Sequence, residues 1–394
     1  MSTVMTMKGS DRVGRMDETI VSVVGDMVRS VPGAISLGQG VVHYGPPAES
    51  TAAVQRFQQQ PQHKYGPVPG LPELIEAIKR KLRAENGVDV DGTDRRVIVT
   101  AGANMGFVNA VMAVADEGDE IILPVPYYFN HKRAIAMAGC KCVCVPTDES
   151  YQVLPDRIRA AITPRTRAVV TVSPNNPSGA VYPETTLREV NEICRKAGVY
   201  HINDEAYEYF TFGGAQHFSP SSIPGGQRHT ISLYSFSKTY GLASWRVGYM
   251  VLPEALFDEM EKVQDVLVIC APTIGQHAAL GALEAGEAFW RPKIEAMGRV
   301  RQMAVDTLAT LGSVCRVAET QGAFYLLVGV DTRLDQMTLV ERLVRQYGVG
   351  VIPARCCGLE SQCVLRVSYG GLAAESVTEG IGRLVRGLGE LAGV

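Results

Sequence analysis

The sequence predicts an α/β protein with a large domain built on a mostly parallel, seven-stranded sheet and a smaller α+β domain. First, the chain has 394 residues, which is more than one hydrophobic core usually organises. Second, short apolar runs rich in β-branched residues alternate with helical stretches from about residue 95. Third, this alternation gives way to long helical stretches after residue 253. We therefore expect two domains of different architecture.

Seven apolar runs form the predicted large sheet. They end in turn residues and have few polar positions, which is typical of strands buried on both faces of a parallel sheet. Ligands of such sheets bind beyond the carboxyl ends of the strands. The runs are VIVTAG (97–102), EIILPVP (120–126), KCVCVP (141–146), AVVTVSP (168–174), VYHIND (199–204), TISLYSFSK (230–238) and VGYMVLP (247–253).

Helical stretches and a second set of strands complete the prediction. LREVNEICRKAG (187–198) has helical spacing and closes on a glycine, as many helices do. Pro292 is expected to mark a bend or join in the long helical region after residue 253. AFYLLVGV and CVLRVSYG are predicted strands around the helix MTLVERLVRQYG. We predict a large domain over 45–285 and a small domain of 1–44 with 286–394.

Composition excludes several classes of function. The formal charge of -3 and the scattered basic residues provide no surface for nucleic acid. The first 30 residues carry charges throughout, so we expect neither a secretory signal nor a membrane anchor. We therefore expect a cytoplasmic location. Nine cysteines without a CxxC pair fit a reducing compartment. The cysteines within 140–144 and at 356–357 are interpreted as packing residues.

Neither histidines nor cysteines indicate a metal site. The seven histidines show no HExxH spacing, and no fourth ligand accompanies the cysteines of 140–144. No metal is therefore predicted. His43 and His131 lie in segments where either could tune specificity, but a structural role is the expectation for both. The chain also lacks the glycine patterns GxGxxG and GxxxxGK[ST] of nucleotide sites.

Three chemically distinct side chains follow neighbouring predicted strands. Asn176 lies in SPNNPSG, Asp204 ends a strand in NDEAY, and Lys238 ends another in SFSK. A sheet that delivers an amide, a carboxylate and an amine to one edge is typical of a catalytic site. Lysine differs from serine or cysteine in forming imines with carbonyl compounds. The pattern therefore favours an aldehyde cofactor.

Pyridoxal phosphate needs four partners, and the sequence offers a candidate for each. Lys238 supplies the imine-forming amine, and Asp204 supplies a carboxylate for the pyridine nitrogen. Asn176 and Tyr207 are candidate hydrogen-bonding partners for the ring oxygen. The phosphate requires a helix N-terminus, hydroxyls and a cation, which TAGANMGF (100–107), Ser235 and Arg246 provide.

Five motifs in order make the chain resemble the class I and II aminotransferases of fold type I. SFSKTYGLASWRVG matches the family's lysine signature, including the eight-residue step from lysine to arginine. NNPSG matches Asn-Pro-Thr/Ser-Gly, DEAY matches Asp-x-x-Tyr, and RVSYG matches the late arginine motif. KYGPVPGLPELIEAI matches the segment that carries a conserved tyrosine of the family. The resemblance covers nearly the whole chain.

The resemblance implies roles for the residues of these motifs. Lys238 is the Schiff-base lysine and the base that moves a proton between the substrate and the cofactor. Asp204 pairs with the pyridine nitrogen, Asn176 and Tyr207 contact the ring oxygen, and Tyr128 stacks on the ring. Residues around the phosphate are Gly102, Ala103, Asn104, Ser235 and Arg246.

Two further implications concern the dimer and the substrate. Tyr65 matches a tyrosine that reaches the phosphate of the neighbouring subunit, which implies a homodimer with shared active sites. Arg366 would clamp the substrate α-carboxylate in a bidentate geometry that lysine does not reproduce, with Gly40 and Asn176 beside it. The partners expected from the resemblance are an amino acid and a 2-oxo acid.

The segment LGQGVVHYGPP departs from many relatives and bears on specificity. It resembles the branch that acts on aromatic or large neutral amino acids, and Val41 and Val42 favour an apolar substrate side chain. Asn104 stands where one aspartate-specific branch has a lysine. We therefore expect an aminotransferase that prefers aromatic or large neutral L-amino acids and works by a ping-pong mechanism.

Three alternatives stay open. One is an aspartate-type aminotransferase. Another is a lyase of the same fold that performs β- or γ-elimination or decarboxylation with the same residues. The third, a cofactor-binding regulator, is disfavoured because the family motifs begin near residue 37 and leave no room for a DNA-binding domain before them.

Overall fold

The computed structural model describes residues 9–14, 16–17 and 19–392. Residues 1–8, 15, 18 and 393–394, which belong to the predicted small domain, lie outside the described residues. The bounds 45–285 for the large domain, and 1–44 with 286–394 for the small one, stay a prediction.

The large sheet has seven strands, as predicted. In chain order they are β1 (Arg95–Thr100), β2 (Glu120–Val125), β3 (Lys141–Pro146), β4 (Thr166–Val172), β5 (Tyr200–Asp204), β6 (Thr230–Ser235) and β7 (Gly248–Pro253). Their spatial order is β1-β7-β6-β5-β4-β2-β3. Strand β7 is antiparallel to both of its neighbours, and the other pairs are parallel. The mostly parallel α/β architecture is therefore confirmed.

The sixth predicted strand is shorter than expected at its carboxyl end. Strand β6 ends at Ser235, and Phe236–Thr239 forms a helical turn. The Ser235 hydroxyl caps this turn by accepting a hydrogen bond of 3.1 Å from the backbone N–H of Ser237. Lys238 thus lies on a short helix beyond the strand.

Helices cover both faces of the large sheet and build much of the remaining chain. Those before β6 are Asp11–Gly14, Ile20–Arg29, Ala48–Gln58, Pro72–Lys81, Ala103–Val114, Phe129–Met137, Pro155–Ala161 and Glu184–Ala197, with a π-helical turn at Leu82–Asn86. Those after β6 are Phe236–Thr239, Phe257–Val268, Thr273–Ala309, Gln336–Tyr347 and Ala374–Leu391.

The long helical region Thr273–Ala309 breaks at Gly286, so the prediction of a bend or join at Pro292 is wrong. Gly286 has φ 57° and ψ -150°, a backbone region that a Cβ atom makes almost inaccessible. Pro292 lies inside the helical segment that follows the break. The first segment packs Ala278 and Ala282 against the large sheet, and the second packs Met297 into the other main core.

A four-stranded antiparallel sheet organises this second core. Its strands are β8 (Cys315–Val317), β9 (Tyr325–Val330), β10 (Ile352–Pro353) and β11 (Val364–Ser368), in the order β10-β11-β9-β8. A two-residue strand, Ile35–Ser36, pairs with Val349–Gly350 in parallel. Helix Ile20–Arg29 contributes Val24 and Val28 to the same core. N-terminal and C-terminal segments therefore pack together.

No single helix in the described part of the chain is long and apolar enough to span a membrane. One pair, Glu254–Val268 with Thr273–Ala309, meets the length and composition together but is bent by 120°. Within the same described ranges, no group of three or more histidine, cysteine, aspartate or glutamate side chains is placed to hold a metal ion.

Candidate active site

The carboxyl ends of the parallel strands deliver the candidate site residues to one edge of the large sheet. Strand β5 ends at Asp204, between β4 and β6. The loop after β4 carries Asn176, and the turn after β6 carries Lys238. Parallel neighbours end at the same edge, so positions far apart in sequence become neighbours in space.

A cavity of about 260 Å³ opens at this edge. Its walls include most of the predicted cofactor and substrate residues and several others. The lining residues are Val21, Gly40, Ala103, Asn104, Tyr128, Phe129, Val172, Asn176, Asp204, Ala206, Tyr207, Ser235, Ser237, Lys238, Arg246, Tyr325 and Arg366.

Lys238 has its amine buried in the cavity, where it donates a hydrogen bond to the carbonyl of Gly40. Burial and the nearby cations Arg246 and Arg366 together lower the pKa of Lys238 to about 8, against a smaller opposing effect of Asp204. A larger share of the amine is therefore neutral near pH 7 than for an ordinary lysine. The neutral form is the one that attacks an aldehyde.

Asp204 is nearly buried, with 6% of its surface exposed. One carboxylate oxygen accepts a hydrogen bond of 3.0 Å from the backbone N–H of Ala206. The other lies 3.1 Å from Nε2 of His131, although the two groups are not aligned as a hydrogen bond. His131 stacks on Phe107 with 3.9 Å between ring centroids. The expectation that His131 is only structural misses this contact with a candidate site carboxylate.

Three polar side chains form a connected group on one wall. The hydroxyls of Tyr207 and Tyr325 are 2.7 Å apart, and the amide of Asn176 donates to Tyr207 at 3.5 Å. Burial and the neighbouring Tyr325 hydroxyl hold the pKa of Tyr207 well above its usual range. Tyr207 therefore keeps its proton and can donate it to an oxygen in the cavity. The sequence predicts only that Tyr325 lies in a strand, since a strand pattern does not reveal which face meets a cavity.

Arg246 and the start of helix Ala103–Val114 form a cationic recess. The Arg246 guanidinium donates to the backbone carbonyls of Ala243 at 2.9 Å and Ala101 at 3.4 Å, and no carboxylate of the described residues pairs with it. Gly102, which precedes the helix, has φ 81°, and a Cβ there would lie 2.5 Å from Nη2 of Arg246. Asn104 and Ser235 also line the cavity. The recess suits a phosphate at a helix N-terminus.

Arg366 is a buried cation without an acidic partner among the described residues. Nη1 donates to Oδ1 of Asn176 and Nη2 donates to the carbonyl of Gly38, each at 2.9 Å. The guanidinium lies over the ring of Tyr325, 4.7 Å from its centroid, and Nε has no partner. A buried charge of this kind requires an anion for compensation. The carboxylate of an incoming substrate meets that need.

Tyr128 and Tyr65 occupy very different positions. Tyr128 lines the cavity, its hydroxyl accepts a 3.0 Å hydrogen bond from Asn130, and its ring meets His131 edge to face at 5.1 Å. Tyr65 does not line this cavity and is 78% exposed. It borders a separate groove beside Ile274. Within one chain, Tyr65 is thus the one predicted site residue that lies away from the others.

The arrangement fits pyridoxal phosphate on several independent features. The recess at Arg246 would suit the phosphate, and the buried Asp204 carboxylate lines the same cavity as the Lys238 amine. Tyr207 adds a hydroxyl to the wall of the same cavity. The fold and this cavity together define a fold type I transferase that uses pyridoxal phosphate.

Comparison with known proteins gives the family. Residues 32–384 match the family described as Aminotransferase class I and II. The chain is 36% identical to the aromatic aminotransferase ISS1 of Arabidopsis thaliana over 385 residues, 95% of each chain. It is 34% identical to a probable aspartate/prephenate aminotransferase of Aquifex aeolicus over 366 residues, 91% of each chain.

Solved structures agree with this result. The aspartate aminotransferase of Thermus thermophilus with maleate has a TM-score of 0.89 at 32% identity, over 97% of this chain and 100% of that chain. The chain therefore belongs to the class I and II aminotransferase family and is an aminotransferase that depends on pyridoxal phosphate. The lyase and regulator alternatives are set aside.

Proposed function

We propose that the enzyme transfers the amino group of an aromatic or large neutral L-amino acid to a 2-oxo acid by a ping-pong mechanism. The observation that carries this proposal is the number of cations in the cavity. Three cationic side chains line it, namely Lys238, Arg246 and Arg366. Lys238 and Arg246 serve the cofactor, so among the described residues that line the cavity Arg366 is the cation left for a substrate anion.

Among the described lining residues, the Arg366 cation can pair with one anion, and the α-carboxylate that every amino acid carries is that anion. A dicarboxylic substrate would bring a second carboxylate, and Asn104 provides an uncharged amide where the aspartate-specific branch has a lysine. Burying a carboxylate without a charged partner is costly. The charge inventory of this chain therefore favours a neutral substrate side chain over that of aspartate.

Apolar and aromatic groups extend the same cavity. Val21 and Phe129 line it, and the ring of Tyr325 forms part of the wall. Val41 and Val42, which the sequence suggested for this role, are not among the lining residues. The support for an apolar substrate side chain thus comes from Val21, on helix Ile20–Arg29, and from Phe129.

The residues of the cavity are assigned to separate tasks. Bound pyridoxal phosphate supplies the aldehyde and an electron sink for the pair released when the substrate Cα–H bond breaks. Lys238 accepts the proton from Cα and returns it as the acid. Asp204 keeps the pyridine nitrogen protonated, with His131 beside it, and Tyr207 donates to the ring oxygen. Arg366 and Asn176 orient the α-carboxylate.

The relatives carry names of both substrate classes, aromatic for the Arabidopsis protein and aspartate/prephenate for the Aquifex protein. An aspartate-type enzyme is therefore the second candidate. A panel of L-amino acids against 2-oxoglutarate and pyruvate, read by the loss of cofactor absorbance in single turnovers, separates them. We expect kcat/KM for phenylalanine or tyrosine to exceed that for aspartate by about tenfold or more, since an unpaired buried group costs about 1–3 kcal/mol. Equal or higher values for aspartate would support the second candidate.

Asn104→Lys provides a matched variant for this panel. It places an amine where the distal carboxylate of aspartate is recognised in the aspartate-specific branch, so the ratio of aspartate to phenylalanine turnover should rise. Lys196→Asn, an exposed site on helix Glu184–Ala197, should leave the ratio unchanged. The ratio is informative because both substrates share the cofactor and the α-carboxylate contact.

A homodimer with shared active sites is the proposed assembly. Large apolar side chains are exposed at the end of helix Phe257–Val268 and just beyond it, including Val266 at 85% and Leu267 at 45%. Tyr65 and Ile274, exposed at 78% and 37%, border one groove, and Ile274 follows that helix shortly afterwards in the chain. A cluster of exposed apolar side chains is typical of a surface that contacts another protein. Tyr65 would then reach the phosphate recess of the partner subunit.

Val266→Asp tests this assembly. We expect the mass in light scattering to fall from that of two chains toward one, because the carboxylate would be buried in an apolar contact. Val13→Asp, at an apolar side chain that is 60% exposed elsewhere, is the control and should keep the mass of two chains. A wild-type protein with the mass of one chain would contradict the proposal.

The proposed location is the cytoplasm. All nine cysteines are free thiols, which fits a compartment that keeps thiols reduced.

A further inference from the structure

Two thiols project from the same face of the outermost strand of the large sheet, away from the cavity just described. Cys142 and Cys144 lie on β3, and their Sγ atoms are 3.7 Å apart. Strand β3 is the last strand in the sheet order and pairs only with β2. One edge of its backbone is therefore free of sheet partners.

The two thiols differ in exposure and in acidity. Cys144 is exposed, and Cys142 is half-buried. The contact with the Cys142 thiol and, to a smaller extent, the cation of Lys132 lower the pKa of Cys144 despite the opposing burial. The same contact raises the pKa of Cys142. Lys132 itself is held by Asp17 at 2.8 Å. Cys144 is thus the thiol of the pair that solvent reaches and that ionises more readily, and Cys142 is the second thiol within reach of it.

We infer that Cys142 and Cys144 form a reversible dithiol site that reacts with small disulfides. The Cys144 thiolate attacks one sulfur of a disulfide RSSR, which forms a mixed disulfide on Cys144 and releases RS⁻. Cys142 then loses its proton and attacks Sγ of Cys144, which forms the Cys142–Cys144 bond and releases the second RS⁻. Two protein thiols are oxidised, one RSSR is reduced, and two RSH result after protonation.

The backbone geometry permits this closure. Residues two apart in a strand have Cα atoms about 6.6 Å apart, at the upper end of the range that disulfides span, so closure requires the backbone to bend between Cys142 and Cys144. The Sγ atoms need to approach by about 1.7 Å from their present separation to reach bonding distance. The unpaired edge of β3 allows the strand to adjust without breaking hydrogen bonds on that side.

A second thiol pair in the chain shows which property matters. Cys356 and Cys357 also have Sγ atoms 3.7 Å apart, but both are buried. If proximity alone determined reactivity, the two pairs would behave alike. Because the attacking thiolate must be reached by the disulfide, we expect only the exposed pair to react.

The test uses the holoenzyme and glutathione disulfide as the probe. After incubation at pH 7.5, free thiols are blocked and the protein is cleaved with trypsin. Cleavage after Lys141 and Arg157 isolates a peptide whose only cysteines are Cys142 and Cys144. We expect this peptide to lose two hydrogen masses and to recover them with a dithiol reductant, while Cys356 and Cys357 stay reduced.

Two serine variants separate the proposed steps. Cys142→Ser should stop at one glutathione bound to Cys144, because no second thiol completes the exchange. Cys144→Ser should slow the reaction of the peptide by about tenfold or more, because the remaining thiol is half-buried and less accessible to the disulfide. Visible absorbance of the bound cofactor reports that each variant is folded.

Several results would overturn the inference. One is a wild-type protein that keeps glutathione on Cys144 as the Cys142→Ser variant does. Another is a Cys356–Cys357 pair that oxidises at the same rate as the exposed pair. A wild-type peptide that stays reduced while a small thiol reagent of known reactivity is consumed would also exclude the dithiol site.

Discussion

Lys238→Ala is expected to abolish turnover, with kcat lower by about 10⁴-fold or more. Loss of a general base alone costs about 10²–10⁴-fold, and this lysine also supplies the amine that bonds to the cofactor aldehyde. The amine lies in the cavity with a pKa lowered to about 8, and no other lysine in the described part of the chain lines that cavity. The measurement is single-turnover consumption of an amino acid, followed by cofactor absorbance.

The same variant should still bind the cofactor, although more weakly. The recess at Arg246, Gly102 and the start of helix Ala103–Val114 is unchanged by the substitution. Equilibrium dialysis measures this binding separately from turnover. Lys262→Ala, at an exposed position on helix Phe257–Val268, is the matched control and should keep wild-type activity. A Lys238→Ala enzyme that retains more than about one-hundredth of the activity would refute the assigned role.

Arg366→Lys is expected to lower kcat/KM for every amino acid by roughly 30- to 1000-fold. The change removes the planar fork that can hold a carboxylate in two hydrogen bonds, and loss of a buried charged contact costs about 2–4 kcal/mol. It also breaks the 2.9 Å hydrogen bonds to Asn176 and to the carbonyl of Gly38. Most of the effect should appear in KM, as measured by steady-state kinetics.

Arg355→Lys is the matched control for this variant, because Arg355 is an exposed arginine in the same C-terminal part of the chain. It should leave both kinetic constants near the wild-type values. The absorbance of the bound cofactor should be intact in both variants, since neither residue is assigned to the phosphate. If Arg366→Lys lowered kcat and left KM unchanged, Arg366 would not be the group that binds the α-carboxylate.

Much of the large sheet was predictable because its strands are locally encoded. Each of the seven apolar runs forms a strand, and the run KCVCVP coincides with β3. Buried parallel strands are apolar on both faces, so they stand out without any knowledge of their neighbours. The exception is the end of β6, where the Ser235 cap starts a helical turn that apolar patterning does not reveal.

The position of the helix break was not predictable from the usual residue type. Proline is the commonest cause of a kink, but Pro292 lies inside the helical segment and Gly286 carries the break. Backbone freedom decides between them, because the φ of 57° at the break is accessible to glycine and not to proline. The segments on either side of Gly286 bury Ala282 and Met297 in different cores, so the change of direction is needed between those residues.

For the candidate site too, some features were predictable from the sequence and others were not. The order of the motifs around Asn176, Asp204, Lys238 and Arg366 was enough to identify the cofactor and the family. The contacts of Tyr325 with Tyr207 and with Arg366, and of His131 with Asp204, were not visible in any motif. The sequence of one strand or helix does not show which side chains from distant parts of the chain pack against it.

The sequence by itself therefore determined the fold class, the cofactor and the family, because these depend on local patterning and on short motifs at strand ends. Only the tertiary structure decided how the site is assembled. Arg366 meets Asn176 from 190 positions away, and Lys238 meets Gly40 from 198 positions away. Such contacts arise when separate elements pack into one core, and the packing of the whole chain determines which side chains share the cavity.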